Sequence, residues 1–183
     1  ARRTLVSASL ATLATFLDTT ILFVAFPDIS ATFSDTGASQ LSWVLNAYTI
    51  VFAALLIPAG KLADRFGHRR AFLAGSTAFT VASMACGLAP TAEILILFRI
   101  VQAVGAAPLI PASLALVMHA FTRDQLPREV AIWGVAGAVA GALGPTLGAA
   151  IVESLGWRWA FYINLPVGLY TVLAGRRNLA ESS

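Results

Sequence analysis

The sequence predicts an all-α membrane protein built from six transmembrane helices. Of its 183 residues, 58% are hydrophobic and only 11% are charged, which is too few charges to cover the surface of a soluble domain. The hydrophobic residues form long runs, most of them near the roughly 20 residues that a helix needs to cross a bilayer. Basic residues concentrate between alternate runs, as they do in helical membrane proteins.

The apolar runs divide the chain into six predicted spans. They cover residues 5–26, 41–60, 71–88, 94–116, 130–151 and 159–174. The third and the sixth are the shortest, although Trp157, Trp159 and Tyr162 suit the membrane interface before the sixth. The chain opens with Ala1 rather than Met, and its first apolar run is too long for a signal peptide. We therefore expect a trimmed N-terminus and a first span that is retained.

The basic residues predict that both ends of the chain are cytoplasmic, because short loops rich in Arg and Lys stay on that side of the membrane. Ten of the twelve fall on one side of the spans: Arg2, Arg3, Lys61, Arg65, Arg69, Arg70, Arg123, Arg128, Arg176 and Arg177. The other side holds four acids, with Arg158 as its single base.

Several classes of function are excluded by composition. The net charge of +3 is not concentrated on a folded polar domain, so we expect no nucleic-acid partner. Cys86 is the single cysteine, which leaves neither a disulfide nor a thiolate cluster, and we expect no metal site and no cofactor. His68 and His119 lie at the cytoplasmic boundary, far from any acid at membrane depth, so an intramembrane enzyme is not expected.

A short repeat divides the six spans into two groups of three. Residues 64–72 and 153–161, which lie 89 positions apart, share the pattern acid-x-x-Gly-x-Arg-x-Ala-Phe. Because the shift crosses three helices, the two copies lie on opposite sides of the membrane. This is the pattern of a 3+3 inverted repeat, common among secondary transporters, here over about residues 5–88 and 94–174. Chance similarity of one short loop is the alternative.

One acid lies near the middle of the first span. A carboxylate at the position of Asp18 is costly unless it faces protein or water. With Thr19 and Thr20 beside it, Asp18 is a candidate for binding a proton or a cation in a central cavity. The alternative is a hydrogen bond between helices that only fixes their packing. Asn46 and Tyr48 complete the polar candidates for the cavity wall.

The fourth span carries a second buried charge. Arg99 and Gln102 are three residues apart and therefore share one helix face. An unpaired guanidinium at this depth is unfavourable, so we expect a partner for Arg99. Asp18 is the other formal charge placed deep in a span, while a carbonyl cluster or a helix outside this chain are alternatives. Snorkelling of Arg99 toward the outer surface is a further one.

Two other features combine glycine with charge or proline. The connection 60–70 contains Asp64 and two glycines among its bases, which anchoring on the cytoplasmic side does not explain. We expect it to gate, with Asp64 pairing with a cation or a helix N-terminus in one conformation. The fifth span repeats glycine at three- and four-residue spacing, which allows close helix approach or, at Pro145, a bend, with static packing as the alternative. The gating candidates are Gly60, Asp64, Arg65, Gly67, Arg69 and Arg70, and the bend candidates are Gly141, Gly144, Pro145 and Gly148. Pro108 and Pro111 predict a kink in the fourth span.

Taken together, these motifs resemble the N-terminal half of a major facilitator superfamily transporter, and most closely its fourteen-span drug:proton antiporter branch. The resemblance covers essentially the whole chain. It is carried by residues 17–27 in the first span, 43–48 in the second, 60–70 between spans, 99–107 in the fourth, 144–148 in the fifth and 157–166 before the sixth. Each motif is weak alone, but their order and their positions on the spans are specific.

The resemblance implies alternating access between two six-helix bundles, in which proton influx drives export of a drug-like or amphipathic molecule. It implies proton coupling through Asp18, Arg99 and Gln102, and a location in the cell membrane. It also implies that residues 1–183 are an N-terminal bundle, whose missing partner is the C-terminal half of the same polypeptide. Uptake of a small metabolite by symport, and a membrane scaffold or receptor that transports nothing, are the alternatives.

Overall fold

The structure is a computed structural model that describes residues 1–178. In this part of the chain, all regular secondary structure is helical. The helices are α1 (Arg2–Thr32), α2 (Ala38–Leu41), α3 (Trp43–Phe66), α4 (His68–Gly87), α5 (Ala92–Ala106), α6 (Leu109–Ala120), α7 (Leu126–Leu155), α8 (Trp159–Tyr162) and α9 (Asn164–Asn178). The predicted all-α fold class is confirmed.

Three pairs of helices each form one interrupted unit. Ser42 joins α2 to α3 and Ile163 joins α8 to α9, and both residues keep helical backbone angles. Pro108 lies between α5 and α6, at the position of the predicted kink. Proline breaks the helix there because it lacks an N–H and its ring crowds the preceding turn. Six helical units result, one at each predicted span.

Four of these units are long and apolar enough to cross a membrane. They cover Arg2–Thr32, Ala38–Phe66, Ala92–Ala120 and Leu126–Leu155. The units formed by α4 and by α8 with α9, which correspond to the third and sixth predicted spans, are less apolar. α4 carries serine and threonine residues that pack inward, such as Ser76 and Ser83, and a helix surrounded by other helices does not need to be uniformly apolar.

The first two helical units extend further than the sequence predicts. α1 continues through Pro27 to Thr32, because Ile29 is fully buried and Trp157 Nε1 donates a hydrogen bond to Thr32 Oγ1 at 2.9 Å. α3 continues through Gly60 to Phe66. The prediction of a connection over residues 60–70 is wrong. These residues form the end of α3 and the start of α4, and Gly67 alone separates the two helices.

The two copies of the repeated motif share an unusual backbone conformation at their glycine. Gly67 and Gly156 occupy the same position in the motif, and among the described residues they are the two with positive φ, at 98° and 90°. Each ends a helix and donates its N–H to a carbonyl four residues earlier, at 2.9 Å. With ψ of 132° and 163°, both lie in a region that only glycine occupies readily. This agreement supports the inverted repeat.

Glycines bring α4 and α5 into direct backbone contact. A Cβ added at Gly105 would lie 2.5 Å from the Phe79 backbone nitrogen, and one at Gly75 would lie 2.7 Å from the Gly105 carbonyl oxygen. Neither distance is possible for a real side chain, so both positions require glycine. The two helices can approach this closely only because these positions lack side chains.

We expect Gly105→Ala to lower the melting temperature of the full-length protein, because the methyl group forces α4 and α5 apart. Overpacking of this kind costs about 1–3 kcal/mol. Gly134→Ala is the matched control, since a Cβ there meets nothing within 4 Å. Thermal unfolding in detergent measures both variants. Equal melting temperatures would contradict the proposed close contact.

Candidate functional site

A layer of polar side chains lies between two apolar clusters in the interior of the bundle. One cluster contains Ile21 and Leu95, and the other contains Ala14 and Ala103. Asp18 and Arg99 lie between these residues on α1 and α5 and are buried. Ser83 on α4 and Asn164 on α9 are likewise buried at the same level. The spacing along each helix therefore brings polar groups from four helices into one layer.

Asp18 and Arg99 form a buried ion pair at the centre of this layer. Arg99 Nη1 lies 2.6 Å from Asp18 Oδ2, and the two residues are only 1% and 2% exposed. The other carboxylate oxygen, Oδ1, accepts hydrogen bonds from Gln102 Nε2 at 2.9 Å and from Asn164 Nδ2 at 2.8 Å. Both oxygens of Asp18 are therefore satisfied, as a buried carboxylate requires.

Arg99 is held on several sides besides the carboxylate. Its Nη1 donates to Gln102 Oε1 at 2.6 Å, and its Nε donates to the Val44 carbonyl at 3.2 Å. The guanidinium carbon lies 4.0 Å from the centroid of the Tyr48 ring, close enough for a cation–π interaction. These contacts connect α5 to α3 as well as to α1.

Ser83 joins α4 to the same network. Its hydroxyl accepts hydrogen bonds from Asn164 Nδ2 at 3.0 Å and from Gln102 Nε2 at 3.2 Å. The same hydroxyl donates to the Phe161 carbonyl at 2.9 Å. Sequence analysis did not identify Ser83, and it placed Asn164 only within a motif. The signal that would have found both is a small polar residue with apolar, inward-facing neighbours three or four positions away.

The ion pair between Asp18 and Arg99 would respond strongly to a change in the charge of Asp18. With Asp18 ionised, the layer contains one negative and one positive group, and their charges compensate. Binding of a proton by Asp18 would leave the Arg99 guanidinium without its counter-ion in an apolar interior, which is unfavourable. A proton at this carboxylate would therefore favour rearrangement of the helices that contribute to the layer.

Three of the four cavity candidates lie outside this network. Tyr48 is buried and packs on Arg99, as described above. Thr19 Oγ1 donates to the Thr15 carbonyl of its own helix at 3.3 Å, and Asn46 is exposed. Thr20 Oγ1 donates to the Ala140 carbonyl on α7, also at 3.3 Å. The four candidates therefore do not form one polar wall.

The comparison with known proteins decides the family. The model of the Major Facilitator Superfamily matches residues 8–179. The chain belongs to the major facilitator superfamily. The superfamily consists of transporters, which points to transport of small molecules rather than catalysis, and this chain is part of a multi-pass membrane protein.

Similar proteins in this superfamily include two drug-resistance transporters. The chain is 42% identical over 167 residues to the Methylenomycin A resistance protein of Streptomyces coelicolor, covering 91% of this chain and 35% of that protein. It is 40% identical over 167 residues to the Multidrug export protein EmrB of Haemophilus influenzae, covering 90% and 32%. The chain therefore spans about a third of each relative.

The fold is also that of solved superfamily structures. A crystal structure of a double-tryptophan mutant of XylE matches with a TM-score of 0.83, covering 97% of this chain and 44% of that one, at 15% sequence identity. At this identity the likeness concerns the fold alone. Because the match covers nearly all of this chain and less than half of the solved one, the chain has the fold of half of such a transporter.

The predicted bend motif on α7, residues 141–148, lies partly against α1. A Cβ at Gly144 would collide with the Thr20 side chain, and one at Gly148 would lie 3.2 Å from the Ile21 Cα atom. Gly141 and Pro145 are exposed, and α7 continues as a helix through Pro145. The four bend candidates thus separate into two that pack against α1 and two that face outward.

The predicted gating residues cluster where α3 ends and α4 begins. The Asp64 carboxylate is exposed and lies 3.7 Å from His68 Nε2. The His68 ring lies 5.6 Å from that of His119 on α6, and Arg69 Nη2 donates to the Arg176 carbonyl on α9 at 3.0 Å. Arg65 and Arg70 are exposed, and Gly60 lies inside α3. These side chains connect α3, α4, α6 and α9, and none of the contacts given above joins them to the Asp18 network.

We expect Asp18→Asn and Arg99→Gln to destabilise the full-length protein strongly when made singly. Each removes one partner of a buried ion pair, which costs about 3–5 kcal/mol. The double variant contains no unpaired charge and should recover part of this loss. A double-mutant cycle on melting temperatures measures the coupling. Additive effects of the two changes would contradict an energetically coupled pair.

Proposed function

We propose that the full-length protein is a proton-coupled exporter of drug-like or amphipathic small molecules that works by alternating access. The observation that carries the proposal is the buried Asp18–Arg99 ion pair, with its donors on several helices. Intramembrane ionisable groups are unfavourable and are found mainly where ions or substrates move. The relatives named for antibiotic resistance and multidrug export support export as the direction.

The coupling step begins at Asp18. In the structure, Asp18 is paired with Arg99 and hydrogen-bonded to Gln102 and Asn164, and Ser83 joins α4 to the same network, which holds α1, α4, α5 and α9 together. A proton entering from outside binds the carboxylate and removes its charge, so Arg99 loses its counter-ion and the helices shift. In the new state the proton leaves toward the cytoplasm, while the substrate leaves in the opposite direction. One proton crosses inward for each cycle of Asp18.

Two other parts of the bundle would control which side is open. Gly144 and Gly148 allow α7 to lie directly against α1, which would seal that side of the helix carrying Asp18. The second part is the junction between α3 and α4, where Asp64 at the end of α3 lies beside His68 at the start of α4. We infer that the contacts around residues 60–70 hold one access state and break in the other.

The remaining parts of the proposal concern the whole protein. Basic residues in alternate connections support a cell-membrane protein in which residues 1 and 183 are both cytoplasmic, although residue 183 lies outside the residues that the structure describes. The chain spans about a third of its relatives, so we infer that a C-terminal half of the same polypeptide completes the cavity. Two inverted groups of three helices would supply the two access states.

We expect Asp18→Asn to abolish proton-driven export. Everted membrane vesicles containing the full-length protein are energised, and uptake of ethidium and a panel of amphipathic antibiotics is measured. The asparagine cannot bind and release a proton, so uptake should fall to the level of vesicles without the protein. Glu153→Gln, an exposed acid changed in the same chemical way, should behave like the unaltered protein.

Folding and coupling are separated by a second measurement. Exchange of labelled for unlabelled substrate at equal concentrations involves no net proton movement, and Asp18→Asn should retain it. Unchanged proton-driven export in this variant would refute Asp18 as the coupling acid. Substrate movement in the same direction as the proton would instead favour symport.

A further inference from the structure

The side-chain amide of Asn164 donates to two partners in the polar layer. Asn164 is 1% exposed, and its Nδ2 lies 2.8 Å from Asp18 Oδ1 and 3.0 Å from Ser83 Oγ. An amide nitrogen carries two hydrogens, so it can donate to both oxygens at once. Because Asn164 is uncharged, it adds hydrogen bonds to the layer without changing the net charge of the ion pair.

The two carboxylate oxygens of Asp18 differ in what they bind. Oδ2 lies beside the Arg99 guanidinium, whereas Oδ1 accepts from the neutral amides of Gln102 and Asn164. Hydrogen bonds to a carboxylate stabilise its charged form and therefore disfavour uptake of a proton. Gln102 also accepts a hydrogen bond from Arg99, so replacing it would disturb the cation as well. Asn164 is the Oδ1 donor whose replacement leaves these contacts of Arg99 in place.

The position of Asn164 in the fold explains why its amide reaches the carboxylate. Asn164 is the first residue of α9, and Ile163 separates it from α8. About one turn further along α9, Gly168 lies so close to Thr80 on α4 that an added Cβ would collide with the threonine side chain. This close approach of α9 to α4 keeps Asn164 beside Ser83, which presents the amide to Asp18 on α1.

Among the described groups that face the layer, Asp18 is the one that can change its charge as the pH falls from neutral. The other titratable groups there are Arg99 on α5, Tyr48 on α3 and Cys86 on α4. Arginine stays charged, while tyrosine and cysteine ordinarily lose their protons only at about pH 10 and about pH 8.5. Tyr162 on α8 is a further tyrosine, and the charged residues of α7 and α9 lie near the helix ends.

We propose that Asn164 sets the proton affinity of Asp18 by stabilising the ionised carboxylate. The inference rests on the proposed function, in which Asp18 is the acid that binds the coupling proton. A hydrogen bond to a charged carboxylate is stronger than one to a neutral carboxyl group, so uptake of a proton weakens the hold of α9 on α1. Asn164 is a positioning residue, because it acts through Asp18 and not on the transported molecule.

Infrared difference spectroscopy of the purified full-length protein measures the proton on Asp18 without any transported molecule. The band of protonated carboxyl groups is followed as the pH is lowered, and the part of it that is missing from Asp18→Asn belongs to Asp18. Asn164→Leu has a similar shape and no donor. It should shift the midpoint of this band upward by about one pH unit, or about tenfold in proton affinity, because a hydrogen bond to the charged form is lost.

Further variants separate the loss of this donor from general damage to the bundle. Gln40→Leu removes another amide that donates to a carboxylate, Glu93 Oε1 at 2.9 Å, but lies outside the polar layer and should leave the midpoint unchanged. Ser83→Ala removes a partner of Asn164 that makes no hydrogen bond to Asp18, so its shift should be much smaller than that of Asn164→Leu. Asn164→Ala, a second variant without a donor, should shift the midpoint in the same direction as Asn164→Leu.

The outcomes distinguish failure of this inference from failure of the proposed function. If no part of the carboxyl band is missing from Asp18→Asn, Asp18 takes up no proton, and the proposed function fails together with this inference. If that part is missing and both Asn164 variants titrate like the unaltered protein, the inference alone is overturned. Equal shifts in Ser83→Ala and Asn164→Leu would overturn it as well, since the shift would then reflect a loosened network.

Discussion

The rest of the structure depends on one buried ion pair. Removing Asp18 and Arg99 from water is unfavourable, and their attraction compensates only if the remaining polar atoms of both groups are also satisfied. Gln102, Asn164 and the Val44 carbonyl meet that requirement. These partners come from different helices, so satisfying one charge pair fixes the relative positions of α1, α3, α5 and α9.

Short polar side chains can meet in this way only if their helices lie unusually close together. Glycine allows α5 and α9 to approach α4 closely next to the polar layer. Gly75 and Gly105 bring α4 against α5, and a Cβ at Gly168 would collide with Thr80, so α9 also lies directly against α4. Ser83 can consequently reach both Gln102 and Asn164 with a single hydroxyl. Close packing and the polar network therefore require one another.

The outer surface of the bundle follows a different rule. Large apolar side chains such as Ile57, Phe23 and Leu169 are exposed, at 71%, 59% and 58%. In water this surface would be unstable, whereas in a membrane it has the polarity of its surroundings. Within residues 1–178, charged side chains accordingly lie near helix ends or in connections, apart from the buried pair of Asp18 and Arg99.

The sequence by itself determined the number of helical units, the two charged residues of the interior and the resemblance to the superfamily. Runs of apolar residues and the motifs around Asp18 and Arg99 are local properties, and they can be counted directly. The sequence also predicted the inverted repeat from two matching motifs. In the structure, Gly67 and Gly156 of these motifs share a backbone conformation that only glycine adopts readily.

Only the tertiary structure decided which polar groups meet. Ser83 is unremarkable in sequence and Asn164 stands out only as part of a motif, and their contacts with the Asp18 network appear only when α4 and α9 are placed beside α1. The structure likewise left Asn46 exposed and continued α3 through Gly60 to Phe66. The reason is physical: a helix face is polar or apolar according to sequence, but its partners depend on the distances at which helices pack. Those distances are set here by glycines whose contacts lie far away along the chain.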